Sequence, residues 1–372
     1  MTTSLRHAST VSASSRMIND TIATMQERAI EQEGYGKTKN GDDVTLFTIT
    51  NKNGFVLKMI DYGATVVSLE VPDKEGELAN IVLTCDGIEG FQACQSYFNG
   101  SVGRYCNRIA KGKFSIDGKE YQLATNNGPN HLHGGNVGYD KLMWNAEPFE
   151  NETGAGVTFK LKSADGDEGY PGNVDVSVTY TLTDNDEFVV EFRATTDAAT
   201  HVNLTNHNYW NLAGSGKILD HKVKIHANKY IPVDGTGIPE GEPADVAGTP
   251  FDFTEFTAIG DRIDQVAGDP TGYDHCYIIA GDVGELRPVA EVIEPNSGRK
   301  MEIVSTEPGL QFYSGNFLDG SEGSGGYERN SAFCMETQHY PDTPNRPDFP
   351  SSLLKPGEKY FHKTVHKFSI AK

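Results

Sequence analysis

The chain of 372 residues has few cysteines, a deficit of positive charge and no long apolar run. Its five cysteines (Cys85, Cys94, Cys106, Cys276 and Cys334) are scattered and form no C-x-x-C pair, which argues against a zinc knuckle and a disulfide framework and favours a reducing compartment. Lys and Arg number 32 against 52 Asp and Glu, so the formal net charge is −20. Such a charge argues against nucleic acid, anionic membranes and polyanionic substrates as partners, and favours a neutral ligand.

Several targeting and cofactor signals are also missing. No stretch approaches the roughly 20 apolar residues of a membrane helix, and the N-terminal run MTTSLRHASTVSASSRMIND lacks the apolar block of a secretory signal. We expect a disordered extension there rather than a transit peptide, and a cytoplasmic location. The glycine-rich stretches AGSGKI (213–218) and GSEGSGG (320–326) have neither Walker nor dinucleotide spacing, so we expect no nucleotide cofactor.

The sequence is instead rich in strand patterns. Polar and apolar residues alternate in AGVTFKLKS (155–163), VDVSVTYTL (174–182) and EFVVEFRATT (187–196), with turn residues between them. Such runs recur from Tyr35 to the C-terminus without a linker and without regular helical intervals. The pattern predicts one large all-β domain over 35–372, a single sandwich of antiparallel sheets.

The N-terminal extension, 1–34, has a different pattern. Ile18, Ile22, Met25 and Ala29 are at helical spacing in INDTIATMQERAIEQ. This spacing predicts a helix over 18–32, within an extension that we otherwise expect to be disordered.

Polar groups are concentrated in a few stretches of the strand-rich part: GRYCNRIAKG (103–112), NHLHGG (130–135), NLTNHNYWNLAG (203–214), GYDHCY (272–277) and ETQH (336–339). In the third, neither face of an extended strand would be apolar, which is typical either of a site wall or of a polar network at a sheet edge. In the last, Glu336 would share its face with Ala332 and Cys334. Those small side chains would leave a hollow beside the carboxylate, although a surface Glu at a strand end is the alternative interpretation.

The histidines allow a metal site as an alternative. His131 and His133 are spaced to lie on one face of a strand, and with His207, Asp274 and Glu336 they could surround an ion. The acid that usually follows such a pair closely is missing, because HGGNVGYD offers only a distant aspartate. We therefore favour proton transfer for these residues and expect no metal.

Three further histidines are predicted to be structural. His275 would point to the face opposite Asp274 in an extended segment. His362 and His366 lie in the basic run KYFHKTVHKF, which we interpret as a strand whose histidines face solvent.

Taken together, the polar stretches resemble the aldose 1-epimerase family, also called galactose mutarotases, over residues 35–372. The likeness rests on their ordered occurrence: GRYCNRIAKGKF, NHLHGG, DGDEGYPGN, NLTNHNYWNLAG, IPVDGTGIPEG, YDHCY, PGLQFYSGNFL, ETQHYPDTPN and LKPGEKY. The resemblance implies a galactose mutarotase-like supersandwich, in agreement with the alternation. It also implies an isomerase that interconverts the α and β anomers of free aldohexoses, such as galactose and glucose, without a cofactor.

The resemblance also implies roles for individual residues. The Glu of ETQH, Glu336, matches the general base, and the His of TNHNY, His207, matches the general acid. Groups that hold the sugar match five residues, with Tyr209 as a further wall of the site: Asn107, Arg108, His133, Asp274 and Gln311. Trp210 stands where many relatives have Phe, and residues 1–34 have no counterpart in the family core.

Two other functions remain open at this point. A hexose-6-phosphate 1-epimerase of related fold would need a cluster of basic residues for the phosphate, and the acidic charge argues against it. A non-catalytic sugar-binding protein would need neither a base nor an acid. We expect a monosaccharide as the partner and a monomer or homodimer as the assembly.

Overall fold

A computed structural model describes residues 27–372 of the chain, and strands make up most of the regular structure in this part. The one α-helix in this range is α1, Gly87–Ala93. None of the described helices has the length and apolar character needed to cross a bilayer. Short 3₁₀ helices in the same range are Ala110–Gly112, Tyr139–Lys141, Asp167–Gly169, Ile259–Asp261, Ile263–Gln265, Glu322–Ser324 and Thr343–Asn345.

The strands of the first half, in chain order, are β1 Ala29–Lys37, β2 Asp43–Thr50, β3 Val56–Ile60, β4 Thr65–Pro72, β5 Leu78–Asn80, β6 Ser101–Val102, β7 Arg108–Ile109, β8 Lys113–Ile116, β9 Lys119–Gln122, β10 His131–Leu132, β11 Asn145–Glu150, β12 Gly154–Ser163, β13 Val174–Thr183 and β14 Glu187–Thr196. Those of the second half are β15 Thr200–His201, β16 Thr205–Asn206, β17 Tyr209–Trp210, β18 Lys222–Ile225, β19 Lys229–Ile231, β20 Ala244–Asp245, β21 Thr257–Ala258, β22 Asp274–Ile278, β23 Arg287–Ile293, β24 Arg299–Ser305, β25 Gly309–Tyr313, β26 Phe333–Gln338, β27 Leu353–Leu354 and β28 Tyr360–Ile370.

Three large antiparallel sheets are formed by these strands. One has five strands in the order β1-β2-β3-β4-β5, a second has nine in the order β11-β12-β13-β14-β28-β24-β23-β18-β21, and the third has six in the order β17-β26-β25-β22-β19-β20. Short two-stranded pairs, including β7 with β10 and β6 with β16, lie between them. The all-β class predicted from the alternation is confirmed.

The core lies between the nine-stranded sheet and the other two. Phe159 of β12 packs against Phe47 of the five-stranded sheet, with ring centroids 5.9 Å apart. His366 of β28 packs against Trp210 of the six-stranded sheet at 5.0 Å. Since one apolar cluster runs through all three sheets, the architecture is a β-sandwich, as predicted.

The predicted N-terminal helix is wrong where the structure describes it. Residues 29–32 form the start of β1, which pairs with β2 along its length, from Ala29 opposite Thr50 to Lys37 opposite Asp43. Residues 18–26 lie outside the described part of the chain. The helical spacing failed because backbone pairing with a neighbouring strand decides the structure of such a short segment, whatever its local pattern.

The prediction that His362 and His366 face solvent is also wrong. Strand β28 lies inside the nine-stranded sheet, between β14 and β24, and its even-numbered residues face the core. His362 is buried, with Nδ1 2.9 Å from the carbonyl of Leu204 and Nε2 3.0 Å from the hydroxyl of Thr337. The lysines that suggested a solvated strand lie on its other face.

Buried histidines make the stability of this fold sensitive to acid. Burial lowers the pKa of His366 to about 4, with the same result for His201 and His221. Because these side chains recover their ordinary pKa on unfolding, the unfolded chain binds more protons between pH 4 and 6.5. The stability that they contribute is therefore present above about pH 6.5 and is lost as the pH falls towards about 4.

We predict that His366→Phe removes the part of this acid-induced loss of stability that His366 causes. The new ring keeps the packing on Phe188 and Trp210 but cannot take up a proton. Between pH 7 and pH 5 the unfolding free energy should fall by about 2 kcal/mol less in the variant than in the wild type. Urea unfolding at both pH values measures this difference, and equal losses in the two proteins would contradict it.

Candidate active site

One face of the six-stranded sheet carries four of the eight predicted site residues. The register places Glu336 of β26 directly opposite Gln311 of β25, and Tyr313 opposite both Cys334 and Asp274. Alternate residues of a strand share a face, so the residues on this side are, in sheet order, Tyr209, Cys334, Glu336, Gln311, Tyr313 and Asp274. The opposite side of β26, with Phe333 and Met335, belongs to the core. The sheet thus brings residues more than a hundred positions apart onto one surface.

Four of these side chains line a cavity of about 310 Å³ together with residues from neighbouring loops: Tyr209, Glu336, Tyr313 and Asp274. The complete lining is Gln95, Ser96, Tyr97, Asn107, Arg108, Asn126, Asn127, Leu132, His133, His207, Tyr209, Asp274, Tyr313, Phe317 and Glu336. The lining combines aromatic rings with amides, two histidines and charged groups. Such a mixture suits a small polar ligand with many hydroxyl groups.

A larger cleft of about 900 Å³ lies on the outer face of the nine-stranded sheet. Its lining includes exposed ion-paired groups, for example Lys162 with Asp175 at 3.6 Å. No His or Glu lines this cleft. The smaller cavity is therefore the candidate active site.

Glu336 is the buried carboxylate of the cavity, with only 3% of its surface exposed. Its Oε1 lies 3.5 Å from Nε2 of His207, and its Oε2 has no hydrogen-bond partner in the described part of the chain. A buried carboxylate oxygen without a donor costs free energy, so this atom is suited to receive a hydroxyl group of a ligand.

His207 lies between β16 and β17, and its imidazole is enclosed by other side chains. The rings of Tyr209 and Tyr97 stack on it with centroids 5.2 and 6.0 Å away. His133 approaches edge-on at 5.1 Å. Nδ1 lies 3.6 Å from the sulfur of Cys334. The enclosure fixes the ring with Nε2 directed at Glu336.

Burial favours the uncharged form of both groups. It lowers the pKa of His207 to about 4, although Asp274 and the backbone carbonyl of His207 itself act in the opposite direction. Burial and the negative charge of Asp274 raise the pKa of Glu336 well above its usual value, and the positive charge of Arg108 opposes them. In the empty cavity these shifts favour a proton shared by the pair on Glu336 rather than on His207.

Two residues in the left-handed region of the backbone bring β7 and β10 to the cavity. Asn107 has φ of 61° and His133 has φ of 49°. The backbone N–H of Asn107 donates to Nδ1 of His133 at 3.0 Å, and the N–H of His133 donates to the carbonyl of Asn107 at 3.1 Å. Because Nδ1 accepts, the proton of the neutral His133 ring is on Nε2, and burial lowers its pKa well below the usual value.

Arg108 is held by two loops. Its Nε donates to Oδ1 of Asn127 at 3.1 Å, and the guanidinium lies against the turn at Gly237, where a Cβ atom would approach it to 2.8 Å. Gly237 has φ of 82°, so both the backbone conformation and the close approach require glycine there. These contacts direct Arg108 into the cavity, where it is the one Arg or Lys among the lining residues.

Asp274 and Gln311 form a hydrogen-bonded pair. Nε2 of Gln311 donates to Oδ1 of Asp274 at 2.8 Å. Asp274 lines the cavity, whereas Gln311 lies behind it, so Gln311 is placed to orient the carboxylate. Its own Oε1 has no partner in the described part of the chain.

A metal site in the cavity is disfavoured because one of its candidate ligands, His133, carries its proton on the nitrogen that would have to bind the ion. Ligand atoms of His133, His207 and Glu336 lie within 4.8 Å of one another, close enough for an ion. A metal on Nε2 of His133 would require the proton to move to Nδ1, where it would meet the N–H of Asn107. His131, the other member of the predicted pair, points elsewhere: its ring contacts the carbonyl of Ala124 and the hydroxyl of Tyr170. The two histidines do not share a face, because β10 ends at Leu132.

The structure brings seven of the eight predicted site residues into the cavity lining and places Gln311 next to it. His275 packs against Phe251 at 4.5 Å, outside the cavity, as predicted. Arg104 is buried and donates to Ser163 and to the carbonyls of Pro171 and Gly172, so it supports loops rather than the site.

The sequence interpretation missed several lining residues. Tyr97, whose ring packs against both His133 and His207, has φ of 59° and lies in the run QSYFNG, which has no strand or motif signal. Asn126 and Asn127 belong to NNGPN, which the sequence indicated only as a turn. The signal in the sequence that could have indicated these residues was a dense mixture of amide and aromatic side chains between two strands.

Comparisons with known proteins point to one family. The model of the aldose 1-epimerase family matches residues 45–367. The galactose mutarotase of Bos taurus is 48% identical over 318 residues, which cover 84% of this chain and 91% of the relative. The aldose 1-epimerase of Escherichia coli (strain K12) is 37% identical over 336 residues, covering 88% and 96%.

A solved structure agrees with these matches. The crystal structure of galactose 1-epimerase from Lactobacillus acidophilus superimposes with a TM-score of 0.83 at 27% identity, over 93% of this chain and all of that one. The fold, the family and the isomerase class predicted from the sequence are confirmed. The chain belongs to the aldose 1-epimerase family, the enzymes that interconvert the anomers of aldoses.

Proposed function

We propose that the protein interconverts the α and β anomers of free aldohexoses, galactose and glucose among them, with Glu336 as general base and His207 as general acid. The observation that carries this proposal is the buried contact between the two residues. Oε1 of Glu336 lies 3.5 Å from Nε2 of His207, while Oε2 is free to receive a hydroxyl group. A base and an acid at this separation are what the opening of a pyranose ring requires.

The reaction begins at the anomeric hydroxyl of the bound sugar. Its hydrogen bond to the carboxylate stabilises the ionised form of Glu336 and moves the shared proton to His207. Glu336 then takes the anomeric proton while His207 donates its proton to the ring oxygen, and the bond between C1 and the ring oxygen breaks. Each positioned proton transfer contributes typically about 10²–10⁴-fold.

The open-chain sugar then reverses the transfers. Rotation about the C1–C2 bond presents the other face of the aldehyde. The alcohol oxygen at the ring position loses its proton to His207 and attacks C1, and Glu336 returns a proton to the former carbonyl oxygen. The pair holds one proton throughout, and the open-chain state has the neutral Glu336 and neutral His207 that burial favours.

The other predicted residues serve to hold the sugar. Arg108 and Asp274 both line the cavity and offer charge-assisted hydrogen bonds to hydroxyl groups. His133 presents an N–H at Nε2 and Asn107 an amide at the same edge. Tyr209 forms a wall against the acid, and Gln311 orients Asp274. The exposed ring of Phe317 at the cavity offers an apolar surface for the carbon skeleton.

The lining argues against the phosphorylated substrate. Among the lining residues Arg108 is the one Arg or Lys, and it shares the cavity with the carboxyl groups of Asp274 and Glu336. A phosphate with nearly two negative charges would have one cation to compensate it there. A non-catalytic sugar-binding protein would need neither the buried Glu336 nor the buried His207, although both side chains cost free energy to bury.

Cofactor, partners and location follow from the same proposal. Two proton transfers need no metal or electron carrier, so the substrate is the only small molecule that we propose. We keep a monomer or homodimer as the assembly, without nucleic acid or membrane as partners. All five cysteines are free thiols, which supports a reducing compartment and the cytoplasm.

Polarimetry tests the proposed function. Freshly dissolved α-D-galactose and α-D-glucose should reach the equilibrium rotation faster with the protein than without it, at low buffer concentration. The ratio of the two rates ranks the sugars. Acceleration seen with glucose 6-phosphate and not with free sugars would favour the phosphorylated substrate. Sugar binding by calorimetry without any acceleration would favour the binding protein.

We predict that Glu336→Gln keeps the fold and loses turnover. The amide has nearly the same shape but cannot accept the anomeric proton, so kcat should fall by about 10²–10⁴-fold. Glu328→Gln, which changes an exposed carboxyl group outside the cavity, is the matched control and should keep full activity. A folded Glu336→Gln protein with wild-type kcat would show that Glu336 is not the base.

We also predict a pH profile that extends into the acid range. The free enzyme is competent while the pair holds one proton. It becomes inactive when His207 takes up a second one, with a pKa of about 4, and again when the shared proton is lost at high pH. The acid limb of kcat/KM should therefore lie near pH 4. An acid limb near 6.5, the ordinary pKa of histidine, would indicate that burial does not lower the pKa of His207 in the free enzyme.

A further inference from the structure

Two residues of one strand contact the two nitrogens of His207. Glu336 lies 3.5 Å from Nε2, and Cys334 lies 3.6 Å from Nδ1. They are two positions apart on β26, so their side chains point to the same face of the sheet. The strand that supplies the base therefore also supplies the neighbour of the second nitrogen of the acid.

An acid that donates from Nε2 and later recovers the proton there must keep its other proton on Nδ1. Otherwise the neutral ring would present an N–H to the substrate when it should present a lone pair. Catalytic histidines are therefore usually oriented by a third group, often a carboxylate, that accepts a hydrogen bond from the second nitrogen. In the described part of the chain, the side-chain hydrogen-bonding neighbour of Nδ1 of His207 is the sulfur of Cys334.

We infer that Cys334 is the positioning residue of His207, with its sulfur accepting the Nδ1–H and thereby fixing the tautomer that the acid needs. This inference rests on the proposed function, since it assigns a role relative to the acid of that reaction. Cys334 itself is not among the residues that line the cavity.

The chemical nature of this group sets the strength of the acid. Sulfur is a weak hydrogen-bond acceptor. Burial and the nearby charges of Glu336 and Asp274 raise the pKa of Cys334 well above its usual value, so it remains an uncharged thiol. An uncharged acceptor gives the imidazolium little stabilisation, whereas a carboxylate at the same place would raise the pKa of His207.

A strong acid suits this reaction because the ring oxygen of a pyranose is a weak base. The titratable and charged groups that face His207 come from every element packed around it: Glu336 from β26, Asp274 from β22, Tyr209 from β17, Arg108 from β7, and His133 and Tyr97 from the adjoining loops. Of these, Glu336 is already committed as the base. Because the thiol of Cys334 stays uncharged, it does not exchange a proton with Glu336 and His207, and these two residues share a single proton.

The tautomer of His207 is directly measurable. In ¹⁵N-histidine-labelled enzyme at pH 7, a long-range ¹H–¹⁵N spectrum shows which nitrogen is protonated, and the loss of one set of signals in His207→Asn assigns the residue. We expect the wild-type ring to carry its proton on Nδ1. A wild-type ring with its proton on Nε2 would overturn the inference, whether or not the protein accelerates mutarotation.

Two substitutions separate orientation from packing. Cys334→Ala removes the acceptor, and we expect mixed tautomers and a kcat about tenfold lower with KM little changed. Cys334→Asp supplies a carboxylate, which should move the acid limb of kcat/KM upward by about one pH unit or more. Cys276→Ala, which removes a buried thiol from β22 of the same sheet, is the control and should change neither quantity.

The outcomes distinguish this inference from the proposed function. If the wild type accelerates mutarotation but Cys334→Ala keeps the Nδ1 tautomer and a kcat within about twofold of the wild type, Cys334 is only a packing residue. If Cys334→Asp does not fold, the spectrum and the alanine variant still decide. A wild type without mutarotation would contradict the proposed function, while its spectrum would still test the assignment of the tautomer.

Discussion

The close contact between Glu336 and His207 in a buried cavity is the constraint on which the proposed function depends. Water is largely excluded from both side chains, so neither can hold a charge without a partner. In the proposed reaction the two groups together hold one proton, and the total charge of the pair does not change as the proton moves between them. A reaction that needs a proton taken from one oxygen and given to another can use such a pair repeatedly without exchange with solvent.

The sandwich provides this contact through the register of one sheet. The core-facing side of β26 anchors the strand through Phe333, Met335 and Thr337, the last of which is hydrogen-bonded to the buried His362. The other side then projects Cys334 and Glu336 at a fixed spacing towards His207. Loops with left-handed residues, at Asn107 and His133, add the groups that surround the sugar. Glu336 is held by the sheet itself, and His207 lies just before β17 of the same sheet.

The sequence could predict the fold and the principal site residues for different reasons. Alternation in strands such as 174–182 reports a two-sided sheet directly, and the ordered motifs identify Glu336 and His207 through the family. The histidines of β28 were wrongly placed because lysines on one face of the strand hid a buried opposite face. The segment 29–32 was wrongly predicted because its structure depends on pairing with β2.

Tyr97 and Asn127 were missed because loop conformation, which no periodic pattern encodes, directs them into the cavity.

The protonation state of Glu336 in the empty enzyme tests the central claim most directly. An infrared difference spectrum between the wild type and Glu336→Gln at pH 7 isolates this one carboxyl group from the others. The account predicts the carbonyl stretch of a protonated carboxylic acid in the empty wild type, and its replacement by carboxylate bands when galactose is added. Carboxylate bands already present without sugar would contradict it, because Glu336 would then be ionised in the empty cavity and the pair would not hold the proton in the way described.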